Sequence, residues 1–301
     1  MSPRNLGTGV LLGRYEAGSP EWHAARVGRL GASEIAAVMG LSRWQSPFSL
    51  WHLKAGNVAP ERDNREMEWG RDQEWVIARR FAREHPAWKV TRCGLYANRV
   101  RPWQVAQPDR VVHVGDRTLT ALEVKTDRYA DDWGPEGTDD IPIYYRCQAM
   151  WQMDTFGWRD CLFAVLITGV DYREYRVRYD PDEVELMRAA AHRFIDSIDA
   201  GIPPSIDEHM ATYRAVRALH PDIDDVEHEL DEQLAKDYQA ALADVDVADE
   251  AKNLASSRVL DAMGRARRAV CNSERIAIRV PTKGGPPHLR PAGSGRKRAA
   301  A

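Results

Sequence analysis

Lysine is nearly missing: of 42 basic residues seven are lysine and 35 arginine. That bias fits a GC-rich gene as well as it fits phosphate binding. Charge of one sign is missing too, because the net charge is only -3. No overall basic field marks a polyanionic partner, so any contact with nucleic acid has to be local. The four cysteines, Cys93, Cys147, Cys161 and Cys271, lie far apart with no CxxC pair, which excludes a zinc knuckle and a disulfide scaffold. No apolar run reaches the roughly 18 residues that span a bilayer, and the start lacks a basic-then-apolar leader pattern. The expectation is a soluble protein of the cytoplasm, the host's if the gene is phage-borne, with no membrane partner. What is present is a chain of 301 residues, 44% hydrophobic, long enough to bury a full core.

Ser19-Pro20-Glu21 carries an N-cap, a proline at the first helical position and a first-turn acid, and predicts a short helix to about Val27. Ser33 stands where a second N-cap belongs, before a helix closed by Gly40, and Ser46-Pro47 opens a third, closed by Gly56. Met67, Trp75, Ile77, Ala78 and Phe81 give an amphipathic helix between Asn64 and His85. From Trp88 to Thr126 the texture becomes β: residues 89–91, 104–106, 110–114 and 119–125, with Gly115-Asp116 as a hairpin turn. A helix over 141–156, a buried strand over 161–167, an alternating strand over 172–179 and a helix over 181–199 follow.

Beyond Gly201-Ile202-Pro203-Pro204 the composition shifts. Residues 222–250 hold twelve acids and one lysine, with apolar positions at Leu230, Leu234, Tyr238 and Leu242, as in a solvated helix with a narrow contact face. A second helix over 251–269 makes this a helical hairpin, 275–280 is a short strand, and the end from Pro281, with Arg296-Lys297-Arg298, reads as a flexible basic tail. The expected organisation is a mixed α/β domain over 1–204, its sheet flanked by helices, an acidic hairpin extension over 205–280 and the tail over 281–301.

The chemistry-bearing pattern is Pro108-Asp109, thirteen residues, then Glu123-Val124-Lys125 on the predicted hairpin. Strand side chains alternate, so Glu123 and Lys125 share one face while Leu122 and Val124 enter the core. An aspartate leaving the paired strand meets Glu123 around one cation. Magnesium takes hard oxygen ligands and keeps several waters, so two carboxylates and a main-chain carbonyl such as that of Val124 suffice. Beside it, Lys125 is placed to orient or deprotonate water and to offset phosphoryl charge. Taken alone, Glu-x-Lys on a strand is more often a solvent-facing ion pair.

Trp22-His23-Ala24-Ala25-Arg26-Val27-Gly28 followed by Gly31-Ala32-Ser33-Glu34-Ile35-Ala36, Trp69-Gly70-Arg71-Asp72-Gln73-Glu74, Gln107-Pro108-Asp109, Leu122-Glu123-Val124-Lys125-Thr126 and the segment Tyr144 to Met153 occur in order between about Glu21 and Tyr179. This series resembles the lambda-exonuclease/YqaJ-type viral recombinase family of the PD-(D/E)xK nuclease superfamily. The resemblance implies a restriction-endonuclease-like core and a magnesium-dependent exonuclease, with manganese as a substitute, that resects linear double-stranded DNA in the 5′ to 3′ direction. It also implies roles: Asp109 and Glu123 bind metal with Glu74 assisting, Lys125 serves the nucleophilic water, Gln148 completes the site, and Arg26 with Ser33 receives a DNA phosphate, Tyr145 standing beside them. The implied partners are DNA ends, a single-strand annealing protein and further copies of the chain.

Each residue also has a plainer role. Glu74 fits a solvated partner of Arg71 or Arg79, Arg26 a cation at a helix C-terminus, Ser33 a simple N-cap, Gln148 a surface amide and Tyr145 the edge of the core. Tyr145, Gln148 and Gln152 nonetheless share one helical face by their spacing of three and four. The scattered cysteines lack the clustered set that iron-sulfur nucleases of this superfamily need. Two rival functions are an endonuclease using the same metal site, which cuts circular DNA, and a DNA-binding module without turnover.

Overall fold

The computed structural model describes residues 5–60, 64–115 and 118–292, and the chain divides into two compact units that part between Pro221 and Asp222. In the first, β1 (Asn5–Leu6), β2 (Gly9–Gly13), α1 (Pro20–Ala25), β3 (Leu30–Gly31), α2 (Ile35–Val38), α3 (Pro47–Lys54) and α4 (Arg65–Glu84) lead into β4 (Lys89–Arg92), β5 (Leu95–Asn98), β6 (Gln104–Ala106), β7 (Arg110–Val114) and β8 (Thr118–Asp127). Then come α5 (Ile143–Phe156), β9 (Asp160–Ile167), β10 (Asp171–Arg178), α6 (Pro181–Asp199) and α7 (Met210–Leu219). The second unit holds α8 (Glu232–Met263), β11 (Arg268–Cys271), β12 (Glu274–Thr282) and β13 (Gly285–Pro291).

Two five-stranded sheets, in the orders β1-β2-β5-β6-β3 and β10-β9-β8-β7-β4, build the first unit. Both are mixed: β8 runs parallel to β9 and β3 to β6, whereas the remaining pairs are antiparallel. The mixed α/β class with helices flanking the sheets is as expected. Helix α5 packs against strands of both sheets and α4 against β8 and β9. Alternation along β8 divides these neighbours. Leu122 and Val124 join Ile77, Ala78 and Phe81 of α4 in one apolar cluster, while Ala121 belongs with Cys147, Met150 and Trp151 of α5 in another. Glu123, between the two apolar residues, therefore points where α5 lies.

The start signals work as read in α1, where Ser19 accepts from Trp22 N, and in α3, where Ser46 and Ser49 form a capping box. At α2 the expectation is corrected. Ser33 is exposed and caps nothing, and the N-cap position falls to Glu34, whose side chain is drawn back into an ion-pair cluster. Strands β1, β2, β3 and β5 and helix α7 go beyond the elements read from the sequence. Helix α7 lies in the first unit, where Thr212 Oγ1 donates to Ser46 Oγ at 2.6 Å, so this unit extends past residue 204.

The acidic hairpin is likewise corrected. Residues 232–263 form one continuous helix capped by Asp231, because nothing between Pro221 and Gly264 breaks it: the run contains neither glycine nor proline. The segment expected as a flexible tail supplies β13, which completes an antiparallel three-stranded sheet with β11 and β12. Asp116 and Arg296-Lys297-Arg298 lie outside the described residues.

A polar knot fixes α5 from its C-terminal end. Asp154, almost wholly buried, accepts from Arg101 at 2.8 Å, from Gln104 at 2.9 Å, from Tyr179 at 3.1 Å and from a forked Arg188 of α6. Burial works to raise its pKa, but Arg188, Gln104 and Arg101 together hold it below the ordinary value of 3.8. A lowered folded value means that this stabilisation is complete above the unfolded pKa and is lost as the pH falls through the folded one. Asp154→Ala, which strands two arginines, should cost about 3–5 kcal/mol. Denaturant unfolding measures it, and a loss below about 1 kcal/mol, the range of exposed pairs, would show the knot to be dispensable.

Candidate active site

Asp109 is the residue before β7, and the β7–β8 register sets Arg110 opposite Leu122, so Asp109 comes to rest against Glu123. Val124 N donates to Asp109 Oδ2 at 2.8 Å, and Asp109 N donates to Glu123 Oε1 at 3.4 Å. Glu123 has 0% exposure. Three side chains satisfy it: Lys125 Nζ at 2.7 Å and Gln148 Nε2 at 2.6 Å on Oε2, and Gln152 Nε2 at 2.6 Å on Oε1. The helical face of α5 that presents Tyr145, Gln148 and Gln152 thus meets the strand face that presents Glu123 and Lys125. Lys125 lies 5.0 Å from the Tyr145 ring centroid, a cation–π distance.

The electrostatics set Asp109 apart from Lys125. Burial, then Glu123, then Glu74 push Asp109 up to about 8, although Lys125 and the Val124 amide pull the other way. For Lys125 burial favours the neutral amine, yet Glu123 and Asp109 overcome it and hold the ammonium well above its usual range. Lys125 in this arrangement is a fixed cation, suited to orienting water and offsetting charge rather than to taking a proton. Burial raises the Tyr145 phenol, with Lys125 opposing, so it too stays protonated.

Glu74 is near but turned aside. Its carboxylate pairs with Arg110, whose Nη1 also donates to the Asp109 carbonyl at 2.6 Å. Among the described residues no three His, Cys, Asp or Glu side chains converge as a ready-made metal cluster. Two carboxylates converge, Asp109 and Glu123, and Arg110 stands between them and the third. Arg110 and Gln152 had no role in the sequence reading. Gln152 shares the face of Gln148, which is the signal that finds it, whereas Arg110 inside Asp-Arg-Val-Val reads as an ordinary strand residue.

Arg26 and Ser33 do not come together as an arginine fork beside a helix N-terminus. Arg26, with 7% of its side chain exposed, pairs with Glu34 at 2.9 Å and lies 3.8 Å over the Trp22 ring. Lys54 pairs with the same Glu34 at 2.9 Å, and Gly31 N donates to it at 2.7 Å. Burial would raise Glu34, but Arg26 and Lys54 hold it low. A Cβ at Gly31 would stand 2.2 Å from Arg26 Nη2, so a side chain there would displace the guanidinium from this cluster. This cluster reaches the carboxylates through Trp22 Nε1, which donates to Gln107 Oε1 at 2.9 Å, two residues before Asp109.

Residues 21–159 match the family model of the YqaJ-like viral recombinase domain. The resemblance read from the ordered motifs is borne out over that span, which holds every site residue named above. The uncharacterized protein YqaJ of Bacillus subtilis (strain 168) is 24% identical over 202 residues, covering 66% of this chain. The chain spans 62% of the length of that relative. Among solved structures, the alkaline exonuclease LHK-Exo from Laribacter hongkongensis is 21% identical with a TM-score of 0.48, over 61% of this chain and 94% of that one. A phage-related exonuclease from Haemophilus somnus 129PT is 9% identical with a TM-score of 0.41, over 57% and 96%.

The raised Asp109 carries a testable cost. Its folded pKa exceeds the unfolded 3.8, so the folded chain binds more protons and stability falls as the pH rises from near 4 to about 8, then levels. With a chelator present, Asp109→Asn should flatten this slope and melt higher than the parent above pH 8, since Asn keeps an acceptor for Val124 N. Melting curves of parent and variant that stay parallel across this range would refute the burden on Asp109.

Proposed function

We propose that this chain is a metal-dependent deoxyribonuclease, an exonuclease that resects linear double-stranded DNA from 5′-phosphorylated ends to prepare single strands for recombination. The observation that carries the reading is the convergence of Asp109 and Glu123 with Lys125 and Gln148 bonded to the same carboxylate oxygen, inside the segment that matches a viral recombinase domain. The donor set suits a hard divalent cation. It is all oxygen, and an aspartate held at a pKa of about 8 by burial and two neighbouring carboxylates marks a surplus of negative charge that a cation would relieve. Asp109, Glu123 and the Val124 carbonyl would hold magnesium, or manganese in its place, and Glu74 would join by leaving Arg110.

The metal would polarise the phosphodiester and acidify a water. The chain's own residues do the rest. Gln148 and Gln152 fix the rotamer of Glu123, and the Lys125 ammonium, braced on Glu123 and Tyr145, is positioned to hold the attacking water and to balance charge growing on the phosphoryl oxygens. Arg26, Lys54 and Glu34 sum to one positive charge beside the turn bearing Ser33, which supports a terminal phosphate held there. The Trp22–Gln107 hydrogen bond would couple that end to Asp109. An annealing protein that coats the product strand is the partner such resection needs.

Asp109→Ala or Glu123→Ala should lower magnesium-dependent turnover by roughly 10²–10³-fold or more, the scale of losing one transition-state electrostatic contact, while DNA binding persists. Near-normal cutting by either variant would sink the assignment. Release of nucleotides from end-labelled linear duplexes with one end blocked, beside a closed circle, measures the rest. Cutting of the circle would favour an endonuclease, and loss only from 3′ ends would reverse the polarity. Calcium should bind and support no cutting, its looser geometry misplacing the water.

A further inference from the structure

The second unit separates its charges lengthwise. Residues 222–250 carry twelve acids and one lysine, whereas residues 265–292 carry seven arginines and lysines and one acid. Both ends also expose apolar surface. On α8, Leu234, Tyr238, Leu242 and Val245 are spaced by four, four and three and so form one ridge, and each is about half exposed or more. Asp237 borders that ridge on one side and Asp246 on the other, at positions three and four residues from Leu234 and Leu242.

The sheet offers the matching shape. Ala277 and Arg279 of β12 face the end of α8: Ala277 is buried and Arg279 donates to the Gly264 carbonyl. Alternation sends Ile278 and Val280 to the other face, where both are partly exposed, and Ile276, 45% exposed, stands beside them at the irregularity where β12 slips register against β11. Register places Arg268 of β11 and Arg290 of β13 directly beside Ile278, and both are exposed. An apolar strip bordered by arginines on either side therefore complements an apolar ridge bordered by aspartates on either side.

Within one chain the two cannot meet. Val245 and Gly264 are parted by about 28 Å of continuous helix at 1.5 Å per residue, and the helix has no break at which to fold back. We infer that the acidic half of α8 docks on the Ile278–Val280 face of β12 in a second copy of this chain. A helix laid on an open sheet face is a stable layer arrangement. The contact joins two different surfaces, so it propagates head to tail and closes into a ring or extends.

Sedimentation of the full-length protein over a concentration series reads this out. The parent should reach at least twice the monomer mass at low ionic strength and shift toward monomer as salt screens the pairs. Asp237→Lys with Asp246→Lys, and separately Arg268→Glu with Arg290→Glu, should each raise the dissociation constant at least about tenfold. Mixing the two variants should restore assembly, because the Asp-bearing arm of one meets the Arg-bearing sheet of the other and the Lys-bearing arm meets the Glu-bearing sheet, so that the two copies alternate. If a reversed chain loses its circular dichroism, Arg268→Gln with Arg290→Gln takes its place, with a smaller shift in the same direction. A chain monomeric at every concentration, an assembly indifferent to both reversals, or a mixture that stays monomeric would each overturn the inference.

Discussion

A carboxylate with no solvent exposure, Glu123, sets the terms for the first unit. Removing such a group from water costs several kcal/mol unless donors replace the lost hydration. Here the donors come from different places: Lys125 from the same strand, Gln148 and Gln152 from successive turns of α5, and the Asp109 amide from the approach to β7. Each bond fixes one element against β8. A slip of β8 by one residue would turn Glu123 toward the apolar cluster with Phe81 and leave Leu122 facing the two glutamines. A slip of α5 by one residue would carry both amides off the carboxylate. The site is thus a consequence of the packing and also one of its constraints.

The Asp154 knot belongs to the same problem. Gln148, Gln152 and Asp154 lie within two turns of α5, and the helix is held at one end by Glu123 and at the other by Arg101, Gln104 and Arg188. Asp154 is a buried carboxylate and Asp109 a half-buried one, with opposite outcomes. Asp154 sits among arginines and its pKa is lowered, while Asp109 sits among carboxylates and its pKa is raised. The paired acid is architectural. The frustrated one lies where a cation would be welcome, and that contrast, more than the presence of acids, distinguishes the candidate site from the scaffold.

Much of this was legible in the residues. The Ser-Pro starts of α1 and α3, the alternation that put Glu123 and Lys125 on one face, and the spacing of Tyr145, Gln148 and Gln152 all rest on local periodicity and capping, and those rules held. What stayed hidden depends on distant partners. Ser33 satisfies every local requirement of an N-cap, yet Glu34 is recruited by Arg26 and Lys54, and the helix begins one residue later than Ser33 would have it. Arg26, read as free for phosphate, is held by Glu34 and covered by Trp22. Strands β1, β2, β3 and β5 are short or lack a β-rich run, and only pairing across the sheet defines them.

The second unit shows the converse failure, in which composition was read where continuity mattered. A change from acid-rich to mixed sequence near Ala251 looks like the bend of a hairpin, but bends need a breaker, and the alanine-rich stretch supplies helix formers instead. Length then acquires a meaning that composition lacks. Had the chain folded back, the apolar ridge would have met its own second half and the acids could have neutralised the nearby arginines. Because α8 runs on without a break, it keeps opposite charges and complementary apolar surfaces apart within one molecule. Such a segregation keeps the acidic ridge and the arginine-bordered strip from each other within one second unit, which is the condition under which a second copy can bring the missing half.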